Sequence, residues 1–87
     1  MKRTKHEIRA DILRVCKLGA IKTHIVYQTN TNFKTAQQHI ECLLDEMKLT
    51  KMENGLYLTN VKGYKYIEAV EALKWFHQTP TFGSGWY

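Results

Sequence analysis

The chain has 87 residues, enough for one small domain with a marginal core, so oligomerisation is expected. A hydrophobic share of 44% and a single proline argue against a disordered chain. The net charge of +5 favours a polyanionic partner, and the lack of a long apolar run argues against a membrane span or a signal peptide.

A first helix is predicted over residues 5–17. Thr4 and Glu7 have the spacing of a capping box, in which each side chain accepts a hydrogen bond from the other residue's backbone N–H. Gly19 stands where a left-handed residue commonly ends a helix. Residues 20–22 are too few to stand alone and are predicted to add a short strand beside a later hairpin.

A second, brief helix is predicted over residues 24–29, capped by Thr23, with Ile25 and Val26 pointing inward. Residues 30–32 interrupt it, because asparagine tolerates left-handed and turn conformations and competes for backbone hydrogen bonds. A longer helix follows at once. This succession is a helix-turn-helix arrangement.

The longer helix, predicted over residues 32–47 with Asn32 as its N-cap, has one apolar and one polar face. The apolar residues recur at helical spacing and form a predicted buried stripe: Ala36, Ile40, Leu43, Leu44 and Met47. The opposite face carries Lys34, Gln38, Glu41 and Asp45, flanked by Thr35 and Cys42. Because its N-terminal half has no acid, this face is interpreted as that of a recognition helix.

Asn54 and Gly55 predict a β-hairpin over residues 50–58, because both residues accept positive φ in a type I′ turn. A hairpin directly after a helix-turn-helix is the wing of a winged helix. Thr59 is predicted to cap a last helix over residues 60–77. Its apolar residues cover two arcs, of which one is expected to pack on the domain and the other on a second subunit.

The predicted fold class is therefore α+β, mostly α: a winged helix-turn-helix with a C-terminal dimerisation helix. Residues 1–78 make up this one domain. Residues 79–87 are predicted to form a flexible aromatic tail. The two cysteines, Cys16 and Cys42, have no CxxC spacing, so free thiols in a reducing compartment are expected.

Seven short segments carry a resemblance to a known group of proteins. They are Arg3–Ile8, Ala10–Leu13, Gly19–Ala20, Lys22–Tyr27, Asn32–Leu44, Tyr57–Thr59 and Lys62–Gly63. In this order, over about residues 3–73, they resemble small archaeal winged-helix DNA-binding proteins. These are predicted transcriptional regulators, and they include the dimeric ten-kilodalton chromatin proteins of hyperthermophilic archaea.

The resemblance implies binding to double-stranded DNA by a homodimer that joins through the C-terminal helix, antiparallel to its partner's. Gln37 and Gln38 depart from the basic residues that are common at these positions in such proteins. This departure indicates fewer phosphate contacts and more reading of base edges.

The candidate DNA-contacting residues lie on the recognition helix, at its start, on the wing and in a basic N-terminal arm. They are Lys34, Thr35, Gln37 and Gln38; Asn32 and Thr31; Lys51 and Asn54; and Lys2, Arg3 and Lys5. Gln38 is the candidate reader of adenine through its amide. For each of these residues the alternative is an ordinary solvated side chain.

The candidate residues of a dimer interface are Val70, Leu73, Trp75 and Phe76, with packing on their own subunit as the alternative. Five other aromatic residues are predicted to pack in the core rather than to stack on bases: Tyr27, Phe33, Tyr57, Tyr64 and Tyr66.

No metal, cofactor or catalytic site is predicted. His39 and Cys42 lie one turn apart, but two ligands are too few for zinc and no Cys/His cluster elsewhere completes the site. The only serine, Ser84, lies in the tail, and neither a glycine-rich phosphate loop nor an obvious pair of acids is present. The chain is therefore predicted not to be an enzyme.

The leading hypothesis is a cytoplasmic, nucleoid-associated homodimer that binds double-stranded DNA as a transcriptional regulator, with no membrane partner. Sequence-tolerant chromatin packaging would use the same contacts. An alternative of another class is a winged helix for protein–protein interaction without DNA binding, which Glu41, Asp45, Glu46 and the aromatic tail favour but which leaves the basic arm without a purpose. Single-stranded nucleic acid fits less well, because most aromatic residues are predicted to point inward.

Overall fold

Four α-helices and one antiparallel hairpin form the part of the chain that the computed structural model describes, which is the backbone of residues 4–78 and the side chains of residues 4–73. In chain order they are α1 (Lys5–Val15), α2 (Lys22–Thr29), α3 (Phe33–Asp45), β1 (Leu49–Lys51), β2 (Tyr57–Thr59) and α4 (Val61–Gln78). This is the predicted α+β winged helix. The predicted tail, residues 79–87, lies outside the described residues.

The core is shared by all four helices and both strands. Its buried apolar side chains are Ile12, Leu13, Cys16, Ala20, Ile25, Ala36, Ile40, Leu43, Leu49, Tyr57 and Ile67. Burial raises the pKa of the Cys16 thiol to about 12, so this group stays protonated and packs as an apolar side chain. Cys42 is exposed, and both thiols are free, as predicted. Within the described residues, no helix combines the length and the apolar character that crossing a membrane requires.

The first helix begins at the predicted capping box: Glu7 N donates to Thr4 Oγ1 at 3.1 Å, and Thr4 N donates to Glu7 Oε1 at 2.9 Å. The α-helix ends earlier than predicted, because the chain tightens into a 3-10 helix over Cys16–Leu18. Gly19 has a positive φ of 92° but a ψ of 134°, so the left-handed helical cap predicted there is wrong. With this extended ψ the chain continues instead into the backbone contact between Ala20 and Tyr57.

A short strand beside the hairpin was predicted over residues 20–22, but Lys22 already belongs to α2 and the pairing is limited to Ala20. Ala20 exchanges two backbone hydrogen bonds with Tyr57, at 3.0 and 2.8 Å, as an isolated antiparallel bridge. Because this bridge holds the chain extended up to Ile21, α2 begins directly afterwards at Lys22, with Ile21 as an N-cap that makes no side-chain hydrogen bond. The predicted cap by Thr23 is therefore wrong.

The helices α2 and α3 end in the same backbone motif. At the end of α2, Asn30 is left-handed (φ 55°), as predicted, and Thr31 N donates to Val26 O at 3.1 Å. At the end of α3, Met47 is left-handed (φ 64°), and Lys48 N donates to Leu43 O at 2.9 Å. These are the bonds of a Schellman motif, which pairs carbonyls that a helix end leaves unsatisfied.

The Schellman motif corrects the predicted extent of the apolar stripe. Ala36, Ile40 and Leu43 are fully buried and Leu44 packs against the core from its edge. Met47, however, lies beyond the last helical residue, Asp45, and is 65% exposed. Because the helix has ended before Met47, the helical spacing of this residue in the sequence does not predict its burial.

The hairpin is the predicted wing, with Thr50 opposite Leu58 at its centre. Its turn differs from the prediction, because Gly55 alone has a positive φ (83°) and Asn54 does not. Gly55 N donates to Met52 O at 3.3 Å, and Met52 N donates to Leu56 O at 2.7 Å. A type I turn followed by a left-handed glycine has this pattern, so the predicted two-residue type I′ turn is wrong.

The start of α4 is held by Asn60, whose Oδ1 accepts a hydrogen bond from Gly63 N at 3.0 Å. The sequence predicted Thr59 as the cap. Thr59 is buried instead, and its hydroxyl donates to the Leu13 carbonyl at 2.6 Å, so it is not available to α4. This bond ties the second strand of the wing to α1.

Gly63 marks the closest approach of α4 to the rest of the domain. A Cβ at this position would lie against the Lys48 carbonyl oxygen and 2.6 Å from Thr59 Cγ2. No side chain larger than a hydrogen atom fits there without moving backbone.

We therefore expect Gly63→Ala to lower the free energy of unfolding by about 1–3 kcal/mol, because overpacking against backbone outweighs the better helix propensity of alanine. Urea unfolding followed by circular dichroism measures the change. The control is Glu68→Ala, an exposed position on the same helix, which is expected to change stability by no more than about 0.5 kcal/mol. Equal unfolding midpoints for Gly63→Ala and the parent would contradict the close approach.

Candidate nucleic-acid interface

The start of α3 is built as predicted. Asn32 Oδ1 accepts a hydrogen bond from Thr35 N at 2.7 Å, which satisfies one of the backbone donors that the first helical turn leaves unpaired. Ala36 and Ile40, fully buried, fix the rotation of the helix about its axis. The remaining free N–H groups of the first turn and the helix dipole make this end of α3 favourable for an anion.

Lys34 and Gln38 project outward from the N-terminal half of α3. Both side chains are exposed and lie about one turn apart. Neither makes a side-chain hydrogen bond or an ion pair with another described residue. Thr35, beside them, is half-buried. Two free polar side chains on one rigid helix face can reach a phosphate and a base edge together.

Gln37 differs from Gln38 because its amide is already engaged. Gln37 Nε2 donates to Glu41 Oε2 at 2.6 Å, one turn further along α3. Gln37 is also half-buried. A contact from Gln37 to a base would therefore require this hydrogen bond to break, whereas Gln38 has no such requirement.

The hydroxyl of Thr31 is engaged in the turn before α3. Thr29 Oγ1 donates its one proton to Ile25 O at 2.7 Å and lies 3.0 Å from Thr31 Oγ1. The proton between the two hydroxyls must then come from Thr31. Thr31 cannot donate to a phosphate in this arrangement, and the Asn32 amide N–H groups are the better donors at this end of the helix.

The wing and the arm contribute three further candidates that the structure describes. Lys51, at the end of β1, and Asn54, in the turn, are both exposed. Lys5 is exposed as the first residue of α1. The other two arm residues, Lys2 and Arg3, lie outside the described residues.

One of the acids at the C-terminal end of α3 is paired with a residue of the same chain. Glu46 Oε1 accepts a hydrogen bond from Lys48 Nζ at 2.8 Å, and this contact lowers the pKa of Glu46. Lys48 Nζ also lies 4.3 Å from the centroid of the Tyr66 ring. Glu46 is therefore not an unpaired acid, although it is exposed, as Asp45 and Glu41 are.

Two aromatic residues are exposed although the sequence predicted them to be buried. Tyr27, on α2, is 85% exposed, and Phe33, at the start of α3, is 55% exposed. Core packing was the prediction for both, and it is wrong. It holds for Tyr57, which is buried, and in part for Tyr66, while Tyr64 is 40% exposed. The position of Phe33 as the first helical residue, next to Asn32, was the signal available in the sequence.

The geometry agrees with the comparisons with known proteins. A family model described as winged helix-turn-helix matches residues 2–77. The chain belongs to the winged helix-turn-helix family. Its structure is similar to the crystal structure of Sso10a-2, a DNA-binding protein from Sulfolobus solfataricus, with a TM-score of 0.82 and 26% identity over 93% of this chain and 88% of that chain. No curated protein matches the sequence significantly. The resemblance found in the sequence is thereby confirmed.

In this winged helix, α4 carries both buried and exposed apolar side chains. Ile67 and Val70 pack into their own domain, with Val70 only 7% exposed. Val61, Tyr64 and Leu73 are exposed. Of the candidate dimer contacts, Leu73 is thus available, and Val70 is largely covered by its own chain. The side chains of Trp75 and Phe76 lie outside the described part.

His39, on the flank of α3 that faces α1, was weighed as a metal ligand with Cys42. Its Nδ1 accepts a hydrogen bond from Arg9 Nε at 3.1 Å, so the ring is neutral there with its proton on Nε2. Among the described residues, no group of three or more potential ligands lies together. Burial, and then the charges of Arg9 and Lys5, lower the pKa of His39 below its ordinary value of 6.5.

This lowered pKa predicts a pH dependence of stability. Below pH 6.5 the unfolded chain takes up a proton at His39 before the folded protein does, so stability is present above that value and falls as the pH drops towards the lowered pKa. Thermal melting of the parent on either side of pH 6.5 measures the fall. The control is His39→Gln, which is expected to show a shallower fall; identical pH profiles of the two proteins would contradict the assignment.

Proposed function

We propose that the protein is a homodimeric double-stranded-DNA-binding protein that acts as a transcriptional regulator, with α3 in the major groove and the hairpin as a wing. The observation that carries the proposal is a pair of exposed side chains, Lys34 and Gln38, which have no partner among the described residues and lie on a helix face with no acid before Glu41. Membership of the winged helix-turn-helix family and the likeness to the DNA-binding protein Sso10a-2 support it.

In the proposed complex each residue has a distinct task. Lys34 neutralises a phosphate at the groove edge, and Gln38 makes a bidentate contact to adenine N6 and N7. The Asn32 amide donates to a phosphate at the helix start, where the free N–H groups and the dipole also favour an anion. Thr35, half-buried beside Lys34, is proposed to contact the DNA through its methyl group or its hydroxyl.

The remaining contacts are to the DNA backbone. Lys51 and Asn54 approach it from the wing, and Lys5, with Lys2 and Arg3, approaches it as a basic arm. These contacts position the protein without reading sequence, so they add affinity and salt dependence rather than specificity.

The homodimer is proposed to form through α4. Val61 and Leu73, 71% and 60% exposed, leave apolar surface uncovered on this helix. Trp75 and Phe76 are proposed to extend the interface. With two-fold symmetry, the two copies of α3 would enter the major groove about one helical turn, or roughly 34–36 Å, or a multiple of this apart.

The first test is DNA binding by fluorescence anisotropy, across a salt series, with random duplex DNA and with promoter fragments. We expect Lys34→Ala to weaken binding and to reduce the log–log salt slope by about one unit, because one phosphate contact is lost. The matched control is Lys65→Ala, which removes the same charge from an exposed position on α4 and is expected to keep the parent's slope.

The outcomes separate the proposed regulator from its alternatives. Promoter fragments that stay bound at salt that releases random DNA would support a sequence-specific regulator. Steep salt dependence without promoter preference would favour sequence-tolerant chromatin packaging. Failure of the parent to bind any duplex at low salt would overturn the proposal in favour of a protein-interaction winged helix.

The dimer has its own test in sedimentation velocity. We expect Leu73→Asp to shift the protein towards monomer, because an interface residue would bring a charge into apolar surroundings. The control is Leu18→Asp, which places the same charge on a 97% exposed leucine outside α4 and is expected to leave the dimer intact. A dimer that persists in Leu73→Asp while Leu18→Asp dissociates would place the interface elsewhere.

A further inference from the structure

Phe33 occupies a position where a large apolar side chain is unusual. It is the first residue of α3, and 55% of its surface faces solvent, although aromatic rings usually contribute most when they are buried. Within the described part of the chain it takes part in no aromatic pair. Its ring therefore offers uncovered apolar surface at the helix end that the proposed function places in DNA.

The direction of the side chain follows from helix geometry. Every Cα–Cβ bond in a helix tilts towards the N-terminus, so a side chain on the first residue extends past the helix start. Gln37 lies one turn later on the same flank as Phe33. In helix-turn-helix proteins the N-terminal residues of the recognition helix contact base edges. Phe33 thus lies beside Lys34 at the N-terminal end of α3, the end that contacts base edges in the proposed complex.

The chemistry of the Phe33 ring determines which group of a base edge it can contact. Phe33 has no polar atom, so it cannot replace the hydrogen bonds that base edges and phosphates make with water. Among the base edges of the major groove, only the C5-methyl group of thymine offers an apolar surface, and phenylalanine is one of the side chains suited to it. Contact with this methyl group removes apolar area from water on both partners.

We propose that Phe33 reads thymine methyl groups in the major groove, next to the base contacts of Gln38. This inference rests on the proposed function and specifies its sequence preference. Gln38 would recognise adenine by its amide, and Phe33 would recognise the methyl group of thymine, so that A·T pairs are favoured through two chemically different contacts. The protein would prefer A·T-containing sites because of the methyl group and not only because of the hydrogen bonds.

The test compares two short duplexes of identical alternating sequence, one with thymidine and one with deoxyuridine, which lacks only the methyl group. We expect the parent to bind the thymidine duplex about fourfold more tightly for each methyl group contacted, at fixed salt. Phe33→Ala is expected to bind both duplexes equally. Its salt slope should stay that of the parent, because no phosphate contact is lost.

Two further variants make the comparison specific. Phe33→Leu keeps an apolar side chain and is expected to retain part of the preference for thymidine, and it replaces Phe33→Ala as the test if circular dichroism shows that the alanine variant does not fold. Tyr27→Ala, the matched control, removes an even more exposed ring from α2 and is expected to keep the full preference.

Several results would overturn the inference while leaving the proposed function intact. They are equal binding of the two duplexes by the parent, an unchanged preference in Phe33→Ala, or loss of the preference in Tyr27→Ala. Dissociation of the dimer in Phe33→Ala would make Phe33 a subunit contact instead. If the parent binds neither duplex at low salt, the proposed function itself fails, and this inference fails with it.

Discussion

The burial of three side chains on one side of α3 is the constraint on which the outward face of the protein depends. Ala36, Ile40 and Leu43 are fully buried, and removing a large aliphatic side chain from water stabilises a protein by about 1.5–3 kcal/mol. Rotating α3 by even one residue would expose part of this stripe. A single polar contact on the other face, with a net value of about 0.5–1.5 kcal/mol, is too weak to compensate. Packing therefore decides that Lys34 and Gln38 face outward.

A second set of contacts places the wing and α4 relative to α3. Asn60 carries out two tasks, because its Oδ1 caps α4 at Gly63 and its Nδ2 donates to Met47 O at 2.7 Å. Thr59 joins β2 to α1 through the Leu13 carbonyl. These hydrogen bonds link the end of α3, the hairpin and α4 into one unit. The wing is thus held at a defined distance from α3, as the proposed joint contact of the two with one duplex requires.

The internal hydrogen bonds of the interface also rank its candidate contacts. The amide of Gln37 donates a hydrogen bond to Glu41, and the hydroxyl of Thr31 donates its proton to that of Thr29. Gln38 and Lys34 have no such partner among the described residues. A side chain that must first break an internal bond gains less from a new one. The proposed sequence reading therefore concentrates on few residues, with backbone contacts from the wing and the arm.

The local signals of the sequence determined the elements and their order, because each is a short-range effect. The capping box of Thr4, the Asn32 cap, the left-handed Asn30 and the hairpin around Gly55 were all readable from neighbours a few residues apart. The fold class followed from their succession. Confirmation by the family model shows that local patterns in this order were sufficient for the architecture.

Tertiary structure decided the points where residues distant in sequence compete for the same group or space. The sequence predicts Thr59 as a helix cap, but in the fold its hydroxyl donates to the carbonyl of Leu13, which is far away in the chain. The sequence predicts Phe33 as a core residue, but at the start of α3 more than half of its surface is exposed to solvent. Periodicity predicts which residues share a face. It cannot predict how far the packed neighbours extend over that face, because burial depends on surfaces brought together only by the fold.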